Sequence, residues 1–181
     1  MFRDAGLQLW ADSGWAAVTA PAVCAATGLD AAEFAAEYDS AEDLLGDIFD
    51  EGTEDRAAVV LAAIEAAGPN LHARIHACLV AVADRLDADP RQSTVLVEAV
   101  GCPSLRARRR AANRGFAAII VGELGLAQLP IEPEQLQTAA HFCLGGLAEL
   151  FLASQDAGTA IDRTLLVEHG TLLFEASLTA R

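Results

Sequence analysis

An all-α fold is predicted for this 181-residue chain by three observations. Apolar residues recur at helical spacing, as in Leu136, Ala140, Cys143, Leu147, Leu150 and Phe151. No stretch shows the alternation of apolar and polar residues that marks a half-buried strand. Helix punctuation divides the chain at intervals, with Thr27–Gly28, Gly68–Pro69, Asp89–Pro90 and Gly101–Cys102–Pro103 falling between the periodic stretches. With 53% hydrophobic and 21% charged residues, the chain can build a sizeable interior and lacks the composition of a disordered protein.

Nine helices follow from these signals. The first covers about 2–13, with Ala5, Leu9 and Trp10 as its apolar stripe, and ends at Gly14–Trp15; both Trp10 and Trp15 are expected to be buried. Val18–Thr19 opens a second helix over 20–27. Asp30 caps a third over 31–38, carrying Phe34 and Tyr38. Ser40–Ala41–Glu42–Asp43–Leu44–Leu45 starts a long fourth, about 42–67, stopped by Gly68–Pro69. Asn70 caps a fifth to about Leu86. Asp89–Pro90, a cap followed by proline in the first helical position, opens a sixth. A seventh runs from Ser104 to about Leu124, 125–130 form a loop, an eighth spans Pro133 to about Gln155, and a ninth about Ile161 to Leu178. The expected division is a module over 1–45 and a second domain over 46–181.

Charge is distributed unevenly. Phe2–Asp55 holds 13 carboxylates and one cation, Arg3, whereas the remaining residues hold 13 carboxylates and 11 arginines. The whole chain carries a net −14 and has no lysine. Duplex DNA is a line of phosphates whose affinity for protein rests on Lys and Arg, so the first third of the chain is electrostatically unsuited to it. The five arginines Arg106, Arg108, Arg109, Arg110 and Arg114 form the one basic cluster; the favoured reading is a solvated face pairing with local acids, the alternative a docking surface for the acidic module or an anionic ligand.

Cys24, Cys78, Cys102 and Cys143 are far apart, with no CxxC pair, and are expected to be buried free thiols. No basic segment followed by an apolar run opens the sequence, and no window approaches 18 uncharged apolar residues, so a cytoplasmic protein that crosses no membrane is expected. GxSxG, P-loop and GxGxxG patterns are absent, and no enzyme activity or cofactor is expected. His72 and His76 stand four apart, a spacing compatible with a metal that His141 and Glu98 could complete, but the favoured reading is polar lining of a pocket or surface, with no metal.

The N-terminal spacing resembles the tetracycline-repressor (TetR) family of bacterial transcriptional regulators. The carrying residues are Ala5, Leu7–Gln8–Leu9–Trp10–Ala11 and Gly14–Trp15 in the first helix and its turn, Thr19 before the second, and Thr27–Gly28–Leu29 with Asp30 before the third. Tyr38 and Ser40–Ala41–Glu42–Asp43–Leu44–Leu45 continue the match without a gap over some 44 residues. Leu96–Val97–Glu98–Ala99, Pro103, Leu105 and Arg108–Arg109–Arg110 resemble the sixth and seventh helices of some members. The resemblance implies a helix-turn-helix reader joined to a ligand-binding and dimerisation domain, in which a ligand shifts the population between DNA-binding and released states.

The departures fall on positions that the resemblance assigns to DNA. Thr19 keeps a phosphate-contact type and Asp30 the cap, but Ala35 replaces a phosphate-contacting Tyr and Ala41 replaces a Lys. The base-reading positions are Ala31, Ala32, Glu33, Ala36 and Glu37, none of which can make the bidentate Arg–guanine or Asn–adenine pairs of direct readout. The basic arm that usually precedes the first helix is absent from this sequence.

A mostly apolar ligand cavity is expected among the middle helices from Leu79, Val82, Leu96, Phe116, Ile119, Ile120 and Phe142, with His76, Asn113 and His141 as polar points; the alternative is that these residues are plain core. The last two helices carry broad apolar faces, the eighth as given above with Gly145–Gly146, the ninth with Leu165, Leu166, Leu172, Leu173 and Ala176. They either complete the core of one chain or pair with a second copy as a four-helix bundle, and the dimer is favoured. Two functions stay open: a homodimeric, ligand-responsive regulator with impaired or atypical DNA binding, and a ligand- or protein-binding module on the same scaffold that uses its acidic face instead of DNA contacts.

Overall fold

The computed structural model describes residues 1–123, 132–155 and 162–179. Nine α-helices and two 3₁₀ turns make up the regular structure of these residues, with no strand among them. In order they are α1 (Phe2–Ser13), a 3₁₀ turn (Trp15–Ala17), α2 (Ala20–Thr27), α3 (Ala31–Glu37), α4 (Ala41–Ala66), α5 (Leu71–Ala88), α6 (Arg91–Glu98), a second 3₁₀ turn (Pro103–Leu105), α7 (Arg106–Glu123), α8 (Pro133–Gln155) and α9 (Arg163–Thr179). The expected all-α class therefore holds. The expected loop over 125–130 lies outside the described residues. None of the described helices is long and apolar enough to cross a membrane.

The chain forms two compact units. The first is Met1–Asp55 with Ala88–Arg110; the second is Arg56–Asp87 with Ala111–Arg181. The sixth helix thus belongs to the same unit as the first three.

The first unit is built around α1. Its buried face is Phe2, Gly6, Leu7 and Trp10, whereas Ala5 and Leu9 are half-buried; the stripe lies about one residue away from the Ala5–Leu9 reading. Gly6 lets α4 come close, since a Cβ there would stand 2.9 Å from Ile48 Cδ1 and 3.1 Å from Leu44 Cδ2. Gly14 ends α1 at φ 82°, a conformation that side chains with a Cβ rarely adopt, and its N–H bonds Trp10 O at 2.8 Å. Asp89 Oδ1 accepts the N–H of Arg91 at the start of α6, so the expected capping residue does act there, although the helix begins one residue later than the proline rule suggests.

In the second unit α9 buries Leu166, Val167, Thr171, Phe174 and Leu178. Gly170 brings it to α5 and α8, where an added Cβ would lie 3.1 Å from Leu79 and 3.5 Å from Leu147. Arg163 at the start of α9 pairs with Asp84 and Asp87 of α5. Asn70 caps α5 as expected, its Oδ1 accepting from Ala73 N–H at 2.9 Å. All four cysteines are free thiols. Cys102 and Cys143 are buried, but Cys24 and Cys78 are half-buried, which corrects the expectation for those two. Burial raises the Cys78 thiol to about 11, so it stays protonated and unreactive.

Candidate nucleic-acid interface

The α2–turn–α3 hairpin is locally well determined. Thr19 caps α2, its Oγ1 accepting from Ala22 N–H at 3.3 Å. Gly28 closes α2 in the left-handed region at φ 75°, donating to Cys24 O. Asp30 then opens α3 with a full capping box. Its Oδ1 accepts from Ala32 and Glu33 N–H at 2.8 and 2.9 Å, and Glu33 Oε2 accepts from Asp30 N–H at 2.8 Å.

One side of α3 faces inward. Phe34 meets Phe2 edge to face at 5.3 Å and Tyr38 at 5.7 Å. Tyr38 donates its O–H to Asp47 Oδ2 at 2.7 Å, and Arg3 pairs with Asp47 at 3.0 Å and with Glu51. The one cation of the first 55 residues is thus engaged inside the module. Burial, and then the hydrogen bond to Asp47, push the Tyr38 phenol up to about 12.

The other side of α3 is open. Ala31, Ala32, Glu33, Ala35, Ala36 and Glu37 are all exposed, as are Thr19 and Asp30; Ala41, at the start of α4, is half-buried. No α3 side chain on that surface can donate a hydrogen bond to a phosphate. Of these residues Thr19 alone carries an O–H; its oxygen accepts from Ala22 N–H as the α2 cap and its proton is the one side-chain donor left on this surface.

Arginines of α6 and α7 offset part of the negative charge of this unit, which has 15 carboxylates and six arginines. Arg91 holds Asp89 through two hydrogen bonds of 2.9 Å and reaches Asp4 at 3.0 Å, contacts that raise its pKa further. Arg108 pairs with Asp50 of α4, and its guanidinium lies over Gly46, where a Cβ would come within 2.6 Å of it. Arg108, exposed and paired with Asp50, fits a solvated face that pairs with nearby acids. Arg109 donates to Val100 O, whereas Arg106 and Arg110 are exposed.

Glu98 of α6 is the residue that sequence reasoning misplaced. Its Oε2 accepts from Trp10 Nε1–H at 3.1 Å and from Trp15 N–H at 3.2 Å. It is engaged there and joins no histidine cluster. Trp10 is 0% exposed. Trp15 is only half-buried, contrary to expectation, because it opens the 3₁₀ turn after Gly14 instead of continuing the buried face of α1. His72 and His76 both turn towards α9, to Glu175 at 2.8 Å and Glu168 at 3.3 Å. Among the described residues no three such side chains are grouped to hold a metal ion.

The expected ligand-cavity residues divide. Leu79 and Ile120 are buried, and Val82, Phe116 and Ile119 are half-buried, all in the second unit; Leu96 is half-buried in the first. His76 is engaged with Glu168. Asn113, His141 and Phe142 are exposed, Phe142 by 71%, because their positions on α7 and α8 point away from the buried faces of those helices. Phe142 lines an open surface depression of about 540 Å³ with Glu134, Gln135, Thr138, Ala139 and Ser177. On α9, Leu172 and Leu173 are 56% and 62% exposed, and Leu165 and Ala176 are exposed too. Of the apolar residues assigned to α9, only Leu166 faces inward, because the helix is apolar on two sides.

No family profile matches the chain, and no curated protein matches it in sequence. Solved structures do match. A putative transcriptional regulator from Pseudomonas aeruginosa PAO1 aligns over 99% of this chain and 89% of its own length, with a TM-score of 0.80 at 18% identity. The fatty acid degradation regulator FadR from Bacillus halodurans aligns over 99% and 93%, with a TM-score of 0.78 at 17% identity. A tetR-family regulatory protein from Rhodococcus RHA1 aligns over 99% and 96%, with a TM-score of 0.67 at 22% identity. The chain shares the fold of these regulators.

Proposed function

We propose that this chain is a homodimeric, ligand-responsive regulator of the TetR type whose N-terminal module does not grip duplex DNA in the ordinary way. The fold shared with transcriptional regulators supports the general class. One observation carries the distinction: the open side of α3 consists of alanines and glutamates, while the inward side keeps the aromatic packing of a helix-turn-helix. Removing donors from the surface and keeping the interior preserves a scaffold while discarding phosphate contacts. The outward Leu172 and Leu173 support pairing of α8 and α9 with a second copy. The effector in this reading is an apolar small molecule held by residues of the second unit such as Val82, Phe116 and Ile119.

The deciding experiment is a salt-titrated anisotropy measurement with labelled duplex. No binding to random duplex is expected at roughly 50 mM salt, where an ordinary regulator binds most tightly. Tight binding that weakens steeply with salt would overturn the proposal.

A protein-interaction role for the same module is the second reading. It is favoured by Glu37, Asp39 and Glu42, which are exposed around the α3–α4 corner and have no ion pair among the described residues.

A further inference from the structure

Helices of the first unit are tied together by arginine–carboxylate pairs: Arg3 with Asp47 and Glu51, Arg91 with Asp4, Arg108 with Asp50. Two of its arginines are left over. Arg106 and Arg110 stand one turn apart at the start of α7, exposed and without a partner among the described residues. On α3, Glu33 and Glu37 stand one turn apart and exposed. Glu33 uses Oε2 in the capping box and keeps Oε1, and Glu37 has no partner among the described residues.

We propose that these two helix faces are the halves of one interface between copies of this chain, with α3 of one molecule lying on the first turns of α7 of another. Residues four apart are about 6 Å apart along any α-helix, so Glu33 and Glu37 match Arg106 and Arg110 in spacing and two pairs form together. Ala36 on α3 and Ala107 on α7, each three positions from one of the charged residues and so beside it on the helix surface, are small and exposed, which lets the helices approach until the guanidinium forks reach the carboxylates. The surface that repels phosphates thus accepts arginines, and the chain itself supplies them. Because this contact is separate from the proposed α8–α9 pairing, it joins dimers into larger species, whether it closes reciprocally or runs head to tail.

Two copies at net −14 repel each other at long range. That repulsion is screened beyond about 10 Å at 0.1 M salt, whereas ion pairs in direct contact persist until the screening length falls to roughly 3 Å at 1 M. Association through this interface is therefore strongest at intermediate salt. An apolar α8–α9 contact has no such maximum, which separates the two interfaces in one experiment.

The test is sedimentation velocity on the full chain at tens of micromolar across a salt series. Species larger than a dimer are expected near 0.1 M salt and absent near 1 M, on the scale of the screening lengths above. Glu37→Arg and the pair Arg106→Glu with Arg110→Glu should each lower the association constant at least tenfold. An equimolar mixture of the two variants should recover pairing, because the unaltered α3 of the Arg106→Glu and Arg110→Glu chain meets the unaltered α7 of the Glu37→Arg chain. Recovery also shows that both variants are folded. The same size distribution near 0.1 M and near 1 M salt, large species that persist at 1 M, or no recovery on mixing while both variants keep wild-type melting curves would each overturn the proposal.

Discussion

The indole N–H of Trp10 and the carboxylate of Glu98 meet at 3.1 Å across 88 positions of the chain, joining the most buried side chain of α1 to the last turn of α6. The same oxygen takes the N–H of Trp15 at 3.2 Å, so one acceptor satisfies both sides of the Gly14 turn. Glu98→Ala leaves two part-buried donors without an acceptor and should cost about 1–3 kcal/mol, whereas Glu98→Gln keeps an acceptor and should cost less. Urea melts followed by tryptophan fluorescence measure both; equal losses would show that the hydrogen bonds contribute little.

The two tryptophans should separate energetically. Trp10→Ala opens a cavity in fully enclosed space and should cost about 3–5 kcal/mol. Trp15 is half-buried, and Trp15→Ala should cost clearly less. Thermal melts of the two variants side by side decide the order, and a Trp10→Ala protein that melts like wild type would show the α1 core to be misassigned.

Leu172 and Leu173 project outward, so Leu173→Glu should leave the folded chain intact while placing a charge in the α8–α9 contact between copies. Sedimentation in about 1 M salt, where charged contacts are screened, should then give monomers with unchanged circular dichroism. Leu147 is a different case, since it is half-buried near Gly170, and Leu147→Glu should lower stability as well. A wild-type chain that is monomeric at micromolar concentration would rule out the pairing.

Tyr38 is the only tyrosine, so tyrosinate absorbance reports its ionisation alone. Its phenol titrates at about 12 in the folded chain, against about 10 in an unfolded one. A raised folded value means a stabilising contribution fully present below pH 10 and lost as pH climbs towards 12. Wild type should lose stability through that window, and Tyr38→Phe should lose less. A tyrosinate midpoint near 10 under folding conditions would contradict the burial and the Asp47 hydrogen bond.

Restoring DNA contacts should be possible without rebuilding the module. Ala35 and Glu37 are exposed, so Ala35→Tyr with Glu37→His and Ala41→Lys should raise affinity for random duplex and introduce a salt dependence that the unmodified chain is expected to lack. Glu33 should stay, because Glu33→Thr removes the side chain that accepts from Asp30 N–H and with it half of the capping box, about 1 kcal/mol. Anisotropy with labelled duplex checks the gain; no change in the triple variant would mean that this surface does not face DNA.

Local features were readable from the residues alone. Asp30, Asn70 and Gly28 act where their chemistry places them, because caps and left-handed turns are decided within four or five residues. Faces were harder. In α1 the apolar residues are dense enough to support two adjacent stripes, and the choice of Phe2, Gly6 and Trp10 depends on Leu44 and Ile48 arriving from α4. In α9 leucines occupy both sides, so periodicity alone could not tell that Phe174 points in and Leu173 out. The partners of Glu98, His72 and His76 are set by helices 83 to 103 positions away, a range over which spacing carries no signal.

The guanidinium of Arg108 occupies the space that a methyl group at position 46 would fill. The two positions therefore cannot drift independently. Among descendants of this sequence, an alanine at 46 should appear together with a shorter or uncharged residue at 108, and the carboxylate of Asp50, relieved of its counterion, should then be free to change. Substitution at these three sites is expected to be inherited as a set.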